Sequence, residues 1–286
     1  MTHTNPDSRL PNPESRIMKY IDPHIHMVSR ITDDYERMAR AGCVAVSEPA
    51  FWAGYDRSSP AGFFDYFRQL TETEPKRAAQ YGIEHYCWIC INPKEAEDVG
   101  FARDVMKLIP EFLKKPNVLG VGEIGLNKNS KNEMVVLEEQ IGIAAAHDQL
   151  ILVHTPHLED KLKGTVLIMD AIKRNGSIDP GRVLIDHVEE HTVGAVLDRG
   201  YWAGMTLYPE TKCTPQRAAD IIEMYGTERL WINSAGDWGP SDPMSVPKCR
   251  QEMAMRGHER ETIERITFGN PHEFMSQSEH FKVSDA

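Results

Sequence analysis

The sequence predicts an α/β protein, specifically a (β/α)8 TIM barrel in a single domain. Eight short runs rich in apolar and β-branched residues alternate with longer stretches of helical periodicity from end to end. A chain of 286 residues could hold two ordinary domains, but α/β barrels commonly use about 250 residues for one. Such an alternation also allows a doubly wound sheet, and the count of eight strands favours the barrel.

Eight strand candidates support this fold. They are residues 19–26, 43–49, 84–92, 118–126, 150–155, 182–187, 201–207 and 229–235. The fourth contains "GVGEIG", but a Glu occupies the centre of this glycine pattern, and no phosphate-binding fingerprint follows the first strand. Nucleotide binding is therefore the weaker interpretation of these glycines.

Helix candidates fill the intervals, most clearly at 61–81, 95–113, 132–148 and 214–226. The third has apolar residues at steps of three and four, and the fourth has a Thr cap, a Pro in its first turn and a closing Gly. We expect residues 19–275 to form the barrel. The polar, Pro-rich residues 1–18 are expected to be a disordered N-terminal tail, and residues 276–286 a C-terminal tail.

Composition and charge exclude several classes of protein. The formal net charge of −11 argues against general nucleic-acid binding, which needs a positive surface. No apolar run approaches the roughly 18 residues of a membrane span, and the first 18 residues lack the apolar core of a secretion signal. Five cysteines, an odd number, suit a reducing compartment. We therefore expect a cytoplasmic protein with no membrane partner.

The first strand candidate carries "DPHIH", in which Asp22, His24 and His26 alternate along the chain. Side chains at i, i+2 and i+4 of a strand share one face, so all three are expected to point into the barrel. Histidine is an uncommon core residue. The pattern therefore indicates either a metal clamp or a pair of hydrogen-bonded core histidines with a satisfied aspartate.

Four further ligand-type residues, Glu123, His154, His187 and Asp237, lie at the carboxyl ends of later strand candidates. Their spacing follows the repeat of the fold, with 31 positions from Glu123 to His154 and 33 from His154 to His187. The carboxyl ends of barrel strands converge on one mouth, where catalytic residues of such barrels lie. This convergence favours the metal clamp over the pair of core histidines.

Four imidazoles and two carboxylates favour a transition metal over Mg²⁺ or Ca²⁺, which prefer oxygen ligands. One tetrahedral zinc cannot use six ligands, whereas two ions about 3.5–4 Å apart can. The sequence therefore predicts two divalent transition-metal ions, with Zn²⁺ preferred and Mn²⁺, Fe²⁺ or Co²⁺ as alternatives.

These motifs resemble the amidohydrolase superfamily, and in particular its TatD-like metal-dependent hydrolases, over residues 19 to about 275. "GEIGL", with Glu123 where other branches have a carbamylated lysine, carries most of the resemblance. The resemblance implies that His24 and His26 hold one metal, that Glu123 bridges, and that His154 and His187 hold the second. It also implies that Asp237 ligates and transfers the proton.

More narrowly, "DPHIHMVSR", "EPAFWAG", "INPKEA" and "VHTPH" resemble a subgroup of predicted metal-dependent hydrolases, some of them encoded in ebo-type biosynthetic clusters. Two departures from TatD enzymes stand out. "VHTPH" lacks the Arg that often follows the strand-5 His, and "SAGDWGPSD" replaces a "TDSPY"-like run after strand 8. Asp237 is chosen over Asp242 as the ligand because it lies nearer the strand end, while Asp242 reads as a helix cap.

The expected chemistry is attack by a metal-bridging hydroxide on an ester, amide, lactone or phosphoester bond of a small molecule. Asp237 is the expected proton shuttle. Asp22 is expected to support the strand or a ligand histidine without binding metal. The residues expected to contact the substrate are His157, Glu48, Trp52, Asn92 and Trp238.

Two alternatives stay open. One is a TatD-type metal-dependent DNase, against which the acidic balance counts although several lysines lie in mouth-side segments. The other is a non-catalytic, metal-bound barrel that serves as a partner in a biosynthetic assembly. The sequence does not set the oligomeric state, and a homo-oligomer is compatible with it.

Overall fold

Eight strands form one parallel sheet in which each strand pairs with the next along the chain. The structure is a computed structural model that describes residues 17–156 and 160–284. The strands are β1 Tyr20–Asp22, β2 Cys43–Pro49, β3 Glu84–Ile89, β4 Val118–Gly125, β5 Leu150–His154, β6 Val183–Ile185, β7 Trp202–Thr206 and β8 Leu230–Asn233. With helices between the strands, this confirms the predicted (β/α)8 barrel.

Twelve α-helices connect or flank the strands within the described residues. They are α1 Thr32–Arg40, α2 Pro60–Arg68, α3 Glu74–Ala79, α4 Val99–Met106, α5 Ile109–Phe112, α6 Lys131–Ala146, α7 Lys161–Asn175, α8 Val193–Asp198, α9 Pro215–Tyr225, α10 Ser245–Met255, α11 Arg260–Glu264 and α12 Asn270–Met275. None of them combines the length and the apolar character that a membrane span requires.

The predicted helices agree with these bounds where the sequence carries a cap. Ser130 and Glu133 form a reciprocal capping box that starts α6, and Thr214 accepts a hydrogen bond from the backbone of Arg217 to start α9. The predicted helix 61–81 is divided, because a π-helical turn at Gln69–Thr73 separates α2 from α3.

The first strand is shorter than predicted, because it ends at Asp22, directly before Pro23. His24 and His26 lie in the segment that follows. The backbone N–H of Ala235 donates to the carbonyl of His24 at 2.7 Å, and that of His26 donates to the carbonyl of Gly236 at 2.8 Å. These bonds join the ends of β1 and β8 and place the two histidines at the mouth.

The barrel interior has an apolar lower layer. Alternate residues of the strands supply it, as strand pleating requires: Leu150 and Leu152 from β5, Leu184 from β6, and Trp231 from β8 belong to one buried cluster. The residues between them pack outward against the helices in a second cluster. The same inward register continues upward to the mouth.

The end of the chain closes the bottom of the barrel. Phe281 is buried with its ring centroid 4.9 Å from that of Tyr86, and the backbone N–H of Lys282 donates to the Tyr86 hydroxyl at 2.9 Å. The segment 276–284, predicted as a tail, is thus packed onto the barrel. Residues 1–16 of the predicted N-terminal tail, and residues 285–286, lie outside the described residues.

Candidate metal centre

Five of the six predicted ligands meet at the mouth of the barrel, and all five are buried: His24, His26, Glu123, His154 and His187. The Nε2 atoms of His24 and His26 lie 3.1 Å apart. On the other side, Nε2 of His187 and Nδ1 of His154 also lie 3.1 Å apart.

Glu123 lies between these two histidine pairs. Its Oε2 is 3.7 Å from Nε2 of His24, 3.2 Å from Nδ1 of His154 and 3.3 Å from Nε2 of His187. The other oxygen, Oε1, accepts a hydrogen bond from the side-chain amide of Asn92 at 3.1 Å. One carboxylate therefore belongs to two ligand groups, one with His24 and His26 and one with His154 and His187.

Asp186 holds the ring of His24 from the far side. Its Oδ2 lies 2.5 Å from Nδ1 of His24, so that Nε2 faces Glu123. Asp186 is fully buried and also accepts two hydrogen bonds from the amide of Asn233 and one from the backbone of His187. A carboxylate on the remote ring nitrogen fixes the tautomer and orientation of a ligating histidine.

The backbone of β7 packs closely against Asp186, which explains the glycine at position 204. A Cβ added to Gly204 would lie 2.3 Å from Oδ1 of Asp186 and 2.9 Å from Nε1 of Trp231. Any larger residue would displace the carboxylate that orients His24.

His187 adopts an unusual backbone conformation, with φ of 60°, which residues other than glycine rarely take. Three contacts stabilise it: Nζ of Lys161 donates to its carbonyl at 2.6 Å, its Nδ1 lies 2.6 Å from the hydroxyl of Thr206, and its backbone N–H donates to Asp186 at 2.7 Å. Such strain is typical of functional sites, and here it turns Nε2 toward Glu123.

Protonation states at the site suit a cation. Burial, followed by the charges of His24 and Lys212 respectively, lowers the pKa of His26 and of His187 well below the usual value, and burial also lowers that of His154. Burial alone would raise the pKa of Glu123, but His154 and His24 together hold it well below its usual range. Neutral imidazoles at His26, His154 and His187 beside an ionised carboxylate are the form in which these groups bind metals. At His24 burial alone would lower the pKa, but Glu123 and Asp186 raise it above the usual value.

The distances fit divalent metal ions. Two nitrogens on a tetrahedral zinc, each about 2.0–2.1 Å from the metal, are about 3.3 Å apart, close to the two 3.1 Å separations observed here. The donor set of imidazoles and one shared carboxylate therefore fits transition-metal ions.

Asp237 is the one predicted ligand that the structure keeps apart from the cluster. Its carboxylate is in none of the close ligand groups among the described residues, although its side chain lines the same cavity. Its Oδ1 accepts hydrogen bonds from the hydroxyl of Tyr208 at 3.1 Å and the backbone of Gly239 at 2.7 Å. Asp242 has a different role. It accepts a hydrogen bond from the backbone N–H of Met244 just before α10, and it pairs with Lys248.

The carboxylate of Asp22 does not contact the imidazole rings of the cluster either. Its Oδ1 accepts hydrogen bonds from the backbone of Ser234 at 3.2 Å and of His24 at 3.4 Å. Burial raises the pKa of Asp22 to about 6, against the opposing effect of these hydrogen bonds. Asp22 thus bonds to the backbone that follows β1 and β8, while the carboxylate on the His24 ring is that of Asp186.

The predicted substrate residues divide into two groups. Trp52, Asn92 and Trp238 line a small open cavity of about 60 Å³ over the histidines, but both ends of the Asn92 amide are engaged, with Glu123 and with the backbone of Lys94. Glu48 is placed elsewhere, and this corrects its predicted contact with substrate: it is 0% exposed and bonds to His85 at 2.8 Å and to the backbone of Val28 at 2.8 Å. His157 lies outside the described residues.

Sequence reasoning missed three residues at this site. Asp186 could have been found, because it lies two positions after the inward-facing Leu184. Phe51, whose ring stacks on that of His26 with centroids 3.8 Å apart, and Lys212, which lines the cavity from the segment between β7 and α9, carry no local signal.

Fold and site together define the class of this protein as a metal-dependent hydrolase with the amidohydrolase-type barrel. The sequence model of the family described as TatD related DNase matches residues 21–276, and the chain belongs to this family. An uncharacterized metal-dependent hydrolase of Methanocaldococcus jannaschii is 29% identical over 255 residues, which cover 87% of this chain and 97% of that protein.

Solved structures agree with the fold. A TatD-like protein from Archaeoglobus fulgidus is similar with a TM-score of 0.73 and 25% identity, over 90% of this chain and 100% of that one. The phosphotriesterase homology protein from Escherichia coli has a TM-score of 0.66 at 11% identity, over 91% of this chain and 99% of that one. The second likeness concerns the fold alone.

Proposed function

We propose that this protein is a binuclear metal-dependent hydrolase that cleaves an ester, amide, lactone or phosphoester bond in a small molecule. The observation that carries the proposal is the position of Glu123 Oε2, within 3.7 Å of imidazole nitrogens from His24, His154 and His187. A carboxylate placed between two histidine pairs is the arrangement that two adjacent cations require.

In this proposal His24 and His26 hold one ion, His154 and His187 hold the other, and Glu123 is shared. Zn²⁺ is the preferred ion, with Mn²⁺, Fe²⁺ or Co²⁺ as alternatives. Bound divalent ions acidify a coordinated water and polarise the oxygen of the bond to be cleaved. Asp186 and Asn92 keep the ligands in place, since each holds the atom of its partner that faces away from the ions.

Asp237 is the proposed proton shuttle. It lines the cavity with four of the five ligand residues, all except His24, and Tyr208 and Gly239 fix its Oδ1 from the protein side. A half-buried carboxylate in this position can accept a proton from the attacking water and return it to the leaving group. Its proposed role is thus proton transfer, with no need for it to ligate metal.

The small cavity favours a small molecule over a nucleic-acid chain. Its walls include Phe51, Trp52 and Trp238, whose rings can cover an organic substrate and exclude water from the ligands. Trp52 and Trp238 contact each other edge to face, with centroids 6.0 Å apart. We propose that these two rings hold the substrate at the rim of the cavity.

The test combines metal analysis with a substrate panel. We expect purified protein to contain close to two transition-metal ions per chain, and at least one ester, amide, lactone or phosphoester to be hydrolysed in a manner that Asp237→Asn abolishes. Degradation of a single-stranded DNA oligonucleotide that stops in the same variant would instead favour the DNase activity that the family description names.

Two outcomes would overturn the proposal. One is protein without stoichiometric transition metal. The other is metal-loaded protein whose melting temperature depends on the metal, whose activity panel stays blank, and which copurifies with a pathway enzyme. That second pattern belongs to a non-catalytic partner in an assembly.

A further inference from the structure

Two lysines line the cavity above the candidate metal centre, in a chain whose formal net charge is −11. Lys212 lies between β7 and α9, with its Nζ 5.0 Å from the ring centroid of Tyr208. Lys94 follows β3, with its Nζ 5.0 Å from the ring of Trp52. Both ammonium groups therefore rest on aromatic faces at the walls of the cavity.

Neither lysine has an acidic partner within hydrogen-bond or ion-pair distance in the part of the chain that the structure describes. The neighbouring Lys161 shows the contrast, because it donates to the carbonyl of His187 at 2.6 Å and pairs with Glu189 at 3.0 Å. The ammonium group of Lys161 is thus already paired with groups of the protein. The ammonium groups of Lys94 and Lys212 remain available to a molecule in the cavity.

Both lysines line the same cavity as four of the candidate ligands, His26, Glu123, His154 and His187. Among the charged groups that act on Lys212, Glu123 comes first, and Asp237 and Asp186 follow after Lys161. The ammonium group of Lys212 therefore lies beside the ligand cluster.

The ammonium group of Lys212 is electrostatically unfavourable beside the ligand cluster unless an anion lies next to it. Burial lowers the pKa of Lys212 to about 8, against the attraction of Glu123, so the ammonium form still predominates at neutral pH. A cation beside positions that suit two divalent cations is repelled by them. An anionic oxygen placed between the lysine and the ions removes that repulsion and supplies the missing hydrogen-bond acceptor.

We propose that Lys212 binds an oxyanion of the substrate, a phosphate or a carboxylate group, in the cavity next to the ligand cluster, with Lys94 contributing at the rim. This inference rests on the proposed function and narrows its substrate to an anionic small molecule. Neutral esters and lactones would then be poor substrates, because they leave the Lys212 ammonium without a partner.

The experiment measures binding of inorganic phosphate and, separately, of acetate by calorimetry to the protein in its purified metal state. We expect Lys212→Gln to weaken binding of the preferred anion by about tenfold to hundredfold, as for loss of a charge-assisted hydrogen bond. Lys212→Arg should retain most of the affinity, and Lys94→Gln should weaken it less than Lys212→Gln. The exposed Lys107→Gln is the matched control and should bind as the wild type does.

Which anion binds more tightly identifies the group as phosphate or carboxylate. An affinity of Lys212→Gln within twofold of the wild type would overturn the inference, and so would failure of the wild type to bind either anion. Circular dichroism of each variant establishes that it is folded, and Lys212→Arg provides a charged variant if Lys212→Gln is not.

Metal analysis of the purified protein beside the same titration separates this inference from the proposed function. Anion binding that depends on Lys212, in protein that is purified without stoichiometric metal, would support the anion site and overturn the metal-dependent hydrolase. Stoichiometric metal together with anion binding that is insensitive to Lys212 would do the reverse.

Discussion

The upper and lower halves of the barrel interior are built on the same strands but are stabilised by different interactions. On β5, Leu150 and Leu152 lie in the apolar lower layer, and His154, two residues farther in the same register, lies in the ligand cluster. Leu184 of β6 and Asp186, directly after this strand, make the same transition. The lower layer needs only close packing, whereas each polar group above needs a partner, because an unpaired buried polar group is costly.

The two halves of the barrel interior can therefore be perturbed separately. Substitutions in the lower half should change the free energy of unfolding and leave the metal site intact. Substitutions in the upper half should disturb the metal site and leave the free energy of unfolding unchanged. Three predictions test that separation, and a fourth concerns a buried pair outside both layers.

Glu123→Gln should have the largest effect. It keeps the shape of the side chain and an acceptor for Asn92 but removes the charge shared by the two ligand groups. We expect bound metal to fall by at least half and hydrolysis to fall about ten-thousandfold, equivalent to about 5.5 kcal/mol of transition-state stabilisation. Metal analysis and kinetics measure this, with the exposed Glu84→Gln as control. Wild-type metal content in Glu123→Gln would contradict the shared-ligand assignment.

Trp231→Ala should lower the free energy of unfolding by about 4 kcal/mol, because it empties a fully buried site in the lower layer. Urea denaturation measures the change. The matched control is Trp238→Ala, whose side chain is 54% exposed and whose loss should cost far less. The metal content of folded Trp231→Ala should equal that of the wild type, and a parallel loss of metal would show that the two layers are not separable.

A third region, outside both layers, predicts a pH dependence. Burial lowers the pKa of His85, the partner of Glu48, to about 4 from an ordinary 6.5. Between these values the unfolded chain binds a proton that the folded chain does not, so this histidine makes stability fall by up to about 3 kcal/mol as the pH drops from 6.5 to 4.

His85→Gln should remove that part of the slope, as measured by urea denaturation at pH 7, 6, 5 and 4. The exposed His147→Gln should keep the wild-type slope. Equal slopes in all three proteins would exclude His85 as the titrating group.

Asp186→Asn should have the smallest effect of the four. The carboxylate orients His24 but is expected to bind no metal itself, and loss of such a supporting contact typically weakens metal affinity about tenfold to hundredfold. A competitive chelator titration measures the affinity, with the exposed Asp198→Asn as control. An unchanged affinity would mean that His24 is held by its backbone contacts with Ala235 and not by Asp186.

Much of the fold and of the ligand set could be predicted because both are periodic. A strand repeats every two residues and the barrel unit about every 32, so the inward position of His154 and the placement of Glu123 and His187 at strand ends follow from counting along the chain. The ring of His187, one residue after Asp186, reaches the cluster because its backbone φ is 60°. The position of Asp186 follows from the same counting.

Other residues could not be placed in this way, because their position depends on contacts between segments distant in sequence. Glu48 ends a strand like a mouth residue, yet its carboxylate turns to His85 of the neighbouring strand. Asp237 lies in a loop, where no strand register fixes its direction, and Tyr208 holds it at the cavity wall. Phe281 looks like part of a tail but finds an apolar surface at the bottom of the barrel.

The sequence by itself thus determined the (β/α)8 barrel and the histidines and glutamate at its mouth, since local periodicity dictates which side chains face inward. Only the tertiary structure decided which carboxylate orients His24, where Asp237 stands relative to the cluster, and that Lys212 lies beside it. Those choices depend on hydrogen bonds and charges between segments that are remote along the chain, and no local pattern encodes them.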